Sequence, residues 1–282
     1  KYLLEFLFIF FLFGIFKIIG LKLSRIFSKK LFSLFGPFFR SKKIIQNNIL
    51  NAFPEADQNL IEKITKNMWC AYGKIFAEYV FIKNFRNNTS NILFEVKGQE
   101  ILEDIKKSKE PVIFISGHFD NFELLAMHIE KSEIDLAAIY RPLNNIFLNP
   151  IMERIRKKFI CKKQIKKGIS GTKELLKYFK LGNSIALMID QRVTQGIKSN
   201  FFNKDAYTTT IPAQFVKKFN CKIVPMFIQR EKNNNFFIEI KKPINFDKKQ
   251  SIEEITLTLN QLLEKMILRN PYQWIWSHNR WK

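Results

Sequence analysis

Cysteine is scarce and scattered. Cys70, Cys161 and Cys221 are the only three, and no two form a C-x-x-C pair. That argues against a disulfide framework or a zinc site and fits a reducing compartment, with each thiol a small buried hydrophobe. Gly168 and Gly171 open a helical stretch, but phosphate-loop spacing is lacking, so nucleotide binding has little support. Neither an internal repeat nor a low-complexity linker divides the chain. Acidic residues are few: 25 against 47 Lys and Arg, a net charge of +22 over 282 residues. So large an excess calls for an anionic partner, whether nucleic acid, a phospholipid surface or an acidic protein, although lysines also serve plain solubility.

Aromatic and aliphatic residues are abundant. Thirty phenylalanines contribute to a 46% hydrophobic composition, enough for a sizeable core, and part of that phenylalanine lies in the first forty residues. Tyr2 to Leu21 is almost unbroken apolar sequence. Twenty helical residues rise about 30 Å, the thickness of a hydrocarbon core. Glu5 and Lys17 fall near its ends, and Lys22, Arg25, Lys29 and Lys30 follow it, which by the positive-inside rule leaves the downstream chain cytoplasmic. A cleaved signal peptide fits poorly, because the charge order is wrong and no small-x-small site follows. Residues 24–39 interleave bases with aromatics, so an interfacial helix stands beside a spanning one. The expected organisation is a membrane anchor over residues 1–22 and one domain over 23–282.

Beyond it, 41–53 and 57–83 read as helices broken at Pro54, with Trp69, Tyr72, Phe76 and Tyr79 forming a core stripe. From about residue 91, strand and helix patterns alternate. Strands are expected at 92–97, 111–116, 134–140, 184–189, 222–228 and 236–241. Helices are expected at 98–108, 121–132, 145–158, 169–181, 206–219 and 251–269, with a hairpin loop at 230–235. The alternation predicts an α/β fold, a mixed central sheet covered by helices.

The most informative stretch is Pro111 to Glu123, where an apolar strand stops at Gly117 and His118 and Glu123 follow at the mouth of a helix. Within one helix an i, i+5 pair points to different faces, but a histidine in the preceding turn can share space with the carboxylate. A base held by a carboxylate at a strand's carboxyl end is a catalytic arrangement. The same residues also fit a capping box between Asp120 and Glu123. Arg141, at another strand end, is placed to bind an anion or to form a surface salt bridge. Asp190, Gln191 and Arg192 end a third apolar strand, where Asp190 either holds an acceptor or caps a turn. Pro225 reads as an edge kink. The Trp-rich ending with His278 and Arg280 reads as packing, and His128 as structural.

Taken in order, Asn47…Phe53-Pro54, Asn67-x-Trp69…Gly73…Glu78, Gly117-His118-Phe119-Asp120-Asn121-Phe122-Glu123, Tyr140-Arg141-Pro142…Asn145, Asp190-Gln191-Arg192 and Gln273-Trp-Ile-Trp-x-His-x-Arg-Trp281 resemble the lipid A late acyltransferases, the lauroyl/myristoyl transferase family. The departure that matters is Asp120, where that block usually carries glycine; it is expected to add negative charge beside the base. The resemblance implies transfer of a fatty acyl chain from acyl carrier protein to a hydroxyl of a lipid A precursor, Kdo-bearing, at the inner membrane. It implies His118 as general base oriented by Glu123, and Arg141, Asn145, Asp190, Gln191 and Arg192 at the substrate. It implies no metal, no cofactor beyond the acyl-carrier co-substrate, a membrane phospholipid surface as partner, and no nucleic acid. A glycerophospholipid or glycolipid acyltransferase using the same pair is an alternative, as is a non-catalytic membrane protein that binds anionic lipid or nucleic acid.

Overall fold

The computed structural model describes residues 1–89 and 92–281. Helices α1 (Tyr2–Phe39), α2 (Lys42–Ala52), α3 (Gln58–Glu78) and α4 (Ile82–Arg86) precede the sheet region. There β1 (Phe94–Lys97), α5 (Gln99–Ser108), β2 (Ile113–Ser116), α6 (Glu123–Lys131), β3 (Leu136–Tyr140), α7 (Leu148–Phe159), β4 (Lys163–Lys166), α8 (Ile169–Lys180) and β5 (Ser184–Met188) alternate. A hairpin of β6 (Ile197–Phe201) and β7 (Lys204–Thr208) follows, then α9 (Ile211–Phe219), β8 (Ile223–Arg230), β9 (Phe236–Ile240) and α10 (Ile252–Arg269).

Seven strands form one sheet in the order β1-β9-β8-β2-β5-β3-β4, and β6 and β7 pair separately. Every neighbouring pair in the large sheet is parallel except β8 with β9, which meet as an antiparallel hairpin across 231–235. The sheet is therefore mixed, as expected. β2 is buried at all four positions because strands flank it on both sides and helices cover it. The expected strands all form. β4 and the β6–β7 hairpin are additions, and β7 occupies the start of the stretch read as a 206–219 helix. Its Lys204, Asp205 and Thr208 carry little apolar signal, and only tertiary pairing makes the segment a strand.

Pro225 corrects the expectation of an edge kink. It lies inside β8, opposite Ile115 of β2, at the point where pairing passes to β9 through Met226 and Ile240. Its carbonyl still accepts from Lys241, and the missing N–H falls at the handover.

Local chemistry sets the helix ends. Asp57 caps α3 by accepting from the Leu60 amide, and Ser251 with Glu254 forms a capping box on α10. The proposed box at Asp120 and Glu123 does not form, since Asp120 accepts from the adjacent Asn121 amide and α6 has no side-chain cap. α1 breaks at Gly20 (φ 78°, ψ 168°), a backbone conformation open to glycine. Its first half is not detached from the rest: Leu12 and Phe16 bury against Ala77 of α3, and Asn145 Nδ2 donates to the Tyr2 carbonyl at 2.9 Å. The outer face stays bare, with Leu4 72% and Ile18 86% exposed. The division at residue 22 therefore marks a change in sequence character, while the two segments pack as neighbours.

Candidate active site

β2 and β5 run parallel in register, with Ser116 opposite Met188. Each strand continues two residues past that last pair, to His118 and to Asp190. Equal overhang from paired strands brings the two side by side, although 72 residues separate them. His118 Nδ1 lies 2.7 Å from Asp190 Oδ1, and the His118 backbone amide donates to Asp190 Oδ2 at 2.7 Å. The Trp274 indole donates to that same oxygen at 2.8 Å. Gly117 gives room for this approach, since a Cβ there would meet Phe119 and Leu263 at 2.9 Å and Asp190 Oδ2 at 3.3 Å.

Asp190 is buried, and burial by itself would raise its pKa. The His118 charge, the two His118 donors and the Trp274 indole outweigh that and hold the carboxyl well below the usual range. An ionised carboxylate only accepts, so His118 Nδ1 carries the hydrogen and Nε2 keeps a free lone pair. Gln191 Nε2 stands 3.2 Å from that nitrogen and 3.1 Å from Nε2 of His278. An amide with two N–H groups can donate to both rings when both imidazoles are neutral. Burial first, then the neighbouring His118, pushes His278 down to about 4, in agreement.

The orienting partner of His118 is therefore Asp190, which corrects the expectation for Glu123. The Glu123 carboxylate accepts from Arg156, Nη2 at 2.7 Å and Nε at 3.0 Å, and from the Tyr79 hydroxyl. α6 begins at Glu123 and directs the side chain towards α7, where Arg156 takes it in a forked pair. Burial opposes the guanidinium charge, yet Glu123 and Tyr79 together raise the Arg156 pKa. Tyr79 is pushed up, by burial first and then by the Glu123 charge, so it stays a hydroxyl donor.

His118, Glu123, Arg141, Arg156 and Gln191 all line one cavity of about 570 Å³. Small side chains are part of its lining: Ala138 of β3, in register with Ala186 of β5, and Ala126 of α6. Lys167 and Lys173 add positive charge to the wall. Alanines, apolar neighbours such as Ile160 and Met188, and several cations in one lining suit a ligand with an apolar chain and an anionic head.

Asn145 and Arg192 are not at this site. Asn145 is buried, its oxygen accepting from the amides of Phe147 and Leu148 at the entrance to α7 while its nitrogen holds Tyr2. It ties α1 to the body. Arg192 stacks on the Tyr207 ring at 5.6 Å and does not line the cavity. Asp120 is turned to Arg230, whose Nε donates to Oδ2 at 3.1 Å, so its charge is neutralised in the core and not placed against the base.

Tyr79, expected in a core stripe, and Trp274 and His278, expected to serve packing, meet at this site, as does Arg156, for which nothing was expected. The Trp-rich ending was the available signal for Trp274 and His278. Arg156 carries no sequence mark beyond its place on an amphipathic helix.

A sequence model of the family described as bacterial lipid A biosynthesis acyltransferase matches residues 1–282. A lipid A biosynthesis lauroyltransferase of Escherichia coli is 23% identical over 253 residues, covering 86% of this chain and 79% of that protein. A lipid A biosynthesis acyltransferase of Haemophilus influenzae is 23% identical over 248 residues, covering 86% of this chain and 78% of its own. Among solved structures, a 1-acyl-sn-glycerophosphate (LPA) acyltransferase from Thermotoga maritima aligns with a TM-score of 0.44 at 14% identity, over 88% of this chain and 98% of that one.

Proposed function

Because this chain belongs to the bacterial lipid A biosynthesis acyltransferase family, we propose that it moves a fatty acyl chain from acyl carrier protein to a hydroxyl of a Kdo-bearing lipid A precursor. The observation that carries the mechanism is the His118–Asp190 pair, buried on the Asp190 side and open to the cavity on the other. The acceptor hydroxyl displaces the Gln191 amide from His118 Nε2 and gives up its proton there as its oxygen attacks the thioester carbonyl. Asp190 holds the tautomer and stabilises the imidazolium. Collapse of the tetrahedral intermediate breaks the C–S bond, and the proton on His118 passes to the leaving sulfur. Arg156, fixed by Glu123 and Tyr79, and Arg141 at the rim are the cations available to the oxyanion or to acceptor phosphate.

The membrane reading rests on α1. Its apolar outer face continues into Phe147, whose ring lies 6.1 Å from Phe6, so the first half runs along the body as a monotopic helix would. Lys22, Lys29 and Lys30 follow the apolar run, which supports a cytoplasmic face of the inner membrane. The acidic carrier and the phosphorylated acceptor would both be drawn to this basic, membrane-held surface.

The test is acyl transfer by purified variants, with lipid A precursor and lysophosphatidic acid offered side by side. His118→Ala and Asp190→Asn lose on the order of 10⁴-fold in kcat, the size of a lost or mis-set base. Glu123→Gln keeps the base and loses less, because it acts through Arg156. Near-native turnover by folded Asp190→Asn would refute the mechanism, and acylation of lysophosphatidic acid alone would refute the acceptor.

A further inference from the structure

A second cavity, about 730 Å³, lies between α1, α3, α4 and the β8–β9 turn and shares no lining residue with the first. Five of its lining residues are cations, Lys22, Arg25, Lys29, Lys74 and Lys232, and none of the described lining residues is acidic. Lys22, Arg25 and Lys29 stand at i, i+3 and i+7, so one face of α1 presents all three. The carboxylates nearest to hand are already engaged: Glu78 and Asp120 neutralise Arg230 and one edge of Arg25 within the core. Among the described residues, the lysines of this cavity form no ion pair.

Two of these cations, Arg25 and Lys74, are partly withdrawn from solvent, unlike the lysines of an ordinary solvated face. Arg25 is only 5% exposed, and while its Nε donates to Glu78 at 2.6 Å, its Nη2 is buried with no hydrogen-bond partner among the described residues. A buried guanidinium nitrogen is seldom left unpaired. Among the described residues Lys74 has only the neutral Asn234 oxygen, at 2.8 Å, as acceptor, and burial followed by the Arg230 charge lowers its pKa. An anion in the cavity would give the Lys74 ammonium a charged partner and would offset the charge of the Arg25 guanidinium, whose Nη2 is itself closed off from the cavity.

We propose that this cavity binds the phosphate of an anionic membrane phospholipid, apart from the catalytic cavity. The lipid source is favoured by the wall itself. Ile26 lines the cavity and is half-exposed beside the exposed Leu23 and Phe27, so a bound headgroup has apolar surface at its mouth for its chains. The site would hold α1 down at the interface by charge as well as by apolar contact.

Native mass spectrometry of the full chain, released from phosphatidylcholine bilayers doped with phosphatidylglycerol, tests this. The wild-type protein retains phosphatidylglycerol in preference to phosphatidylcholine. Lys29→Gln/Lys74→Gln lowers that retention on the order of tenfold, whereas the same charge removed at Lys248 and Lys249, on the exposed surface, leaves it unchanged. Lys232→Gln, on an exposed turn where folding is not at stake, gives a smaller loss in the same direction. Equal retention by the cavity and surface variants would reduce the effect to diffuse attraction and overturn the proposal. So would displacement of the lipid by equimolar inorganic phosphate, or loss of acyl carrier protein capture with lipid retention intact. Activity is not the readout, so a failure here is separable from a failure of the acyl-transfer reading.

Discussion

At position 120 a carboxylate stands where the similar block usually has glycine, and two opposed effects meet there. The backbone is left-handed (φ 36°), which costs a non-glycine residue about 1–2 kcal/mol. The side chain, though, closes a buried network in which Arg230 also binds Glu78, and Glu78 binds Arg25 and Asn121. Removing one partner from a buried ion pair costs about 3–5 kcal/mol, because it leaves an uncompensated charge in the core. The second effect is larger. Asp120→Gly is therefore expected to destabilise the protein by about 1–4 kcal/mol net despite relaxing the backbone, read as a lower urea midpoint. An increase in stability would mean that the Arg230 pairing contributes little.

Between elements, α1 and α3 approach at two glycines. A Cβ on Gly73 would lie 2.4 Å from the Ser28 carbonyl, and one on Gly36 would lie 2.4 Å from the Trp69 ring. Backbone cannot yield as a flexible side chain can, so Gly73 is the stricter of the two. Gly73→Val would force the helices apart and cost about 1–3 kcal/mol as overpacking, exposing Trp69 to solvent. The measurement is Trp fluorescence with thermal melting; a native emission maximum and midpoint would show that the contact tolerates a side chain. Gly20, by contrast, has open space where a Cβ would point, so its role is its backbone angle alone.

Across the whole molecule, two partly buried histidines set an acid limit. His128 is pushed down to about 4 by burial and then Lys131, and its Nε2 pairs with Gln99 at 2.7 Å. His278 is pushed down to about 4 by burial and then His118. In the unfolded chain both titrate near 6.5. The unfolded state therefore binds more protons between those values, so stability is full above about 6.5 and is lost as pH falls towards 4. Each histidine removes about 2 kcal/mol between pH 7 and 5. Urea midpoints at the two pH values check this, and His128→Gln should halve the difference. A midpoint that does not move with pH would contradict the burial argument.

His118 and Glu123 were legible because strand end, turn and helix start are local, and the periodicity changes within thirteen residues. Asp190 was legible as a polar residue ending an apolar strand and, through the resemblance, as a residue at the substrate, but not as the partner of His118. That it, rather than Glu123, meets the imidazole depends on the register of β2 against β5, and register is a property of two distant segments. The β6–β7 hairpin was missed for a related reason. Its strands draw stability from Arg280, which donates to the Tyr207 carbonyl, and from Trp281, which donates to the Phe201 carbonyl, both far along the chain.

Sequence alone therefore determined the alternating α/β plan, the apolar helix with its trailing bases, and the strand ends that carry polar groups. Those follow from hydrophobic period and charge order, which act over a turn or a few residues. The tertiary structure decided which carboxylate serves which cation or imidazole. Hydrogen bonds and ion pairs form at contact distance, and chain separation says nothing of contact distance until the strands are paired.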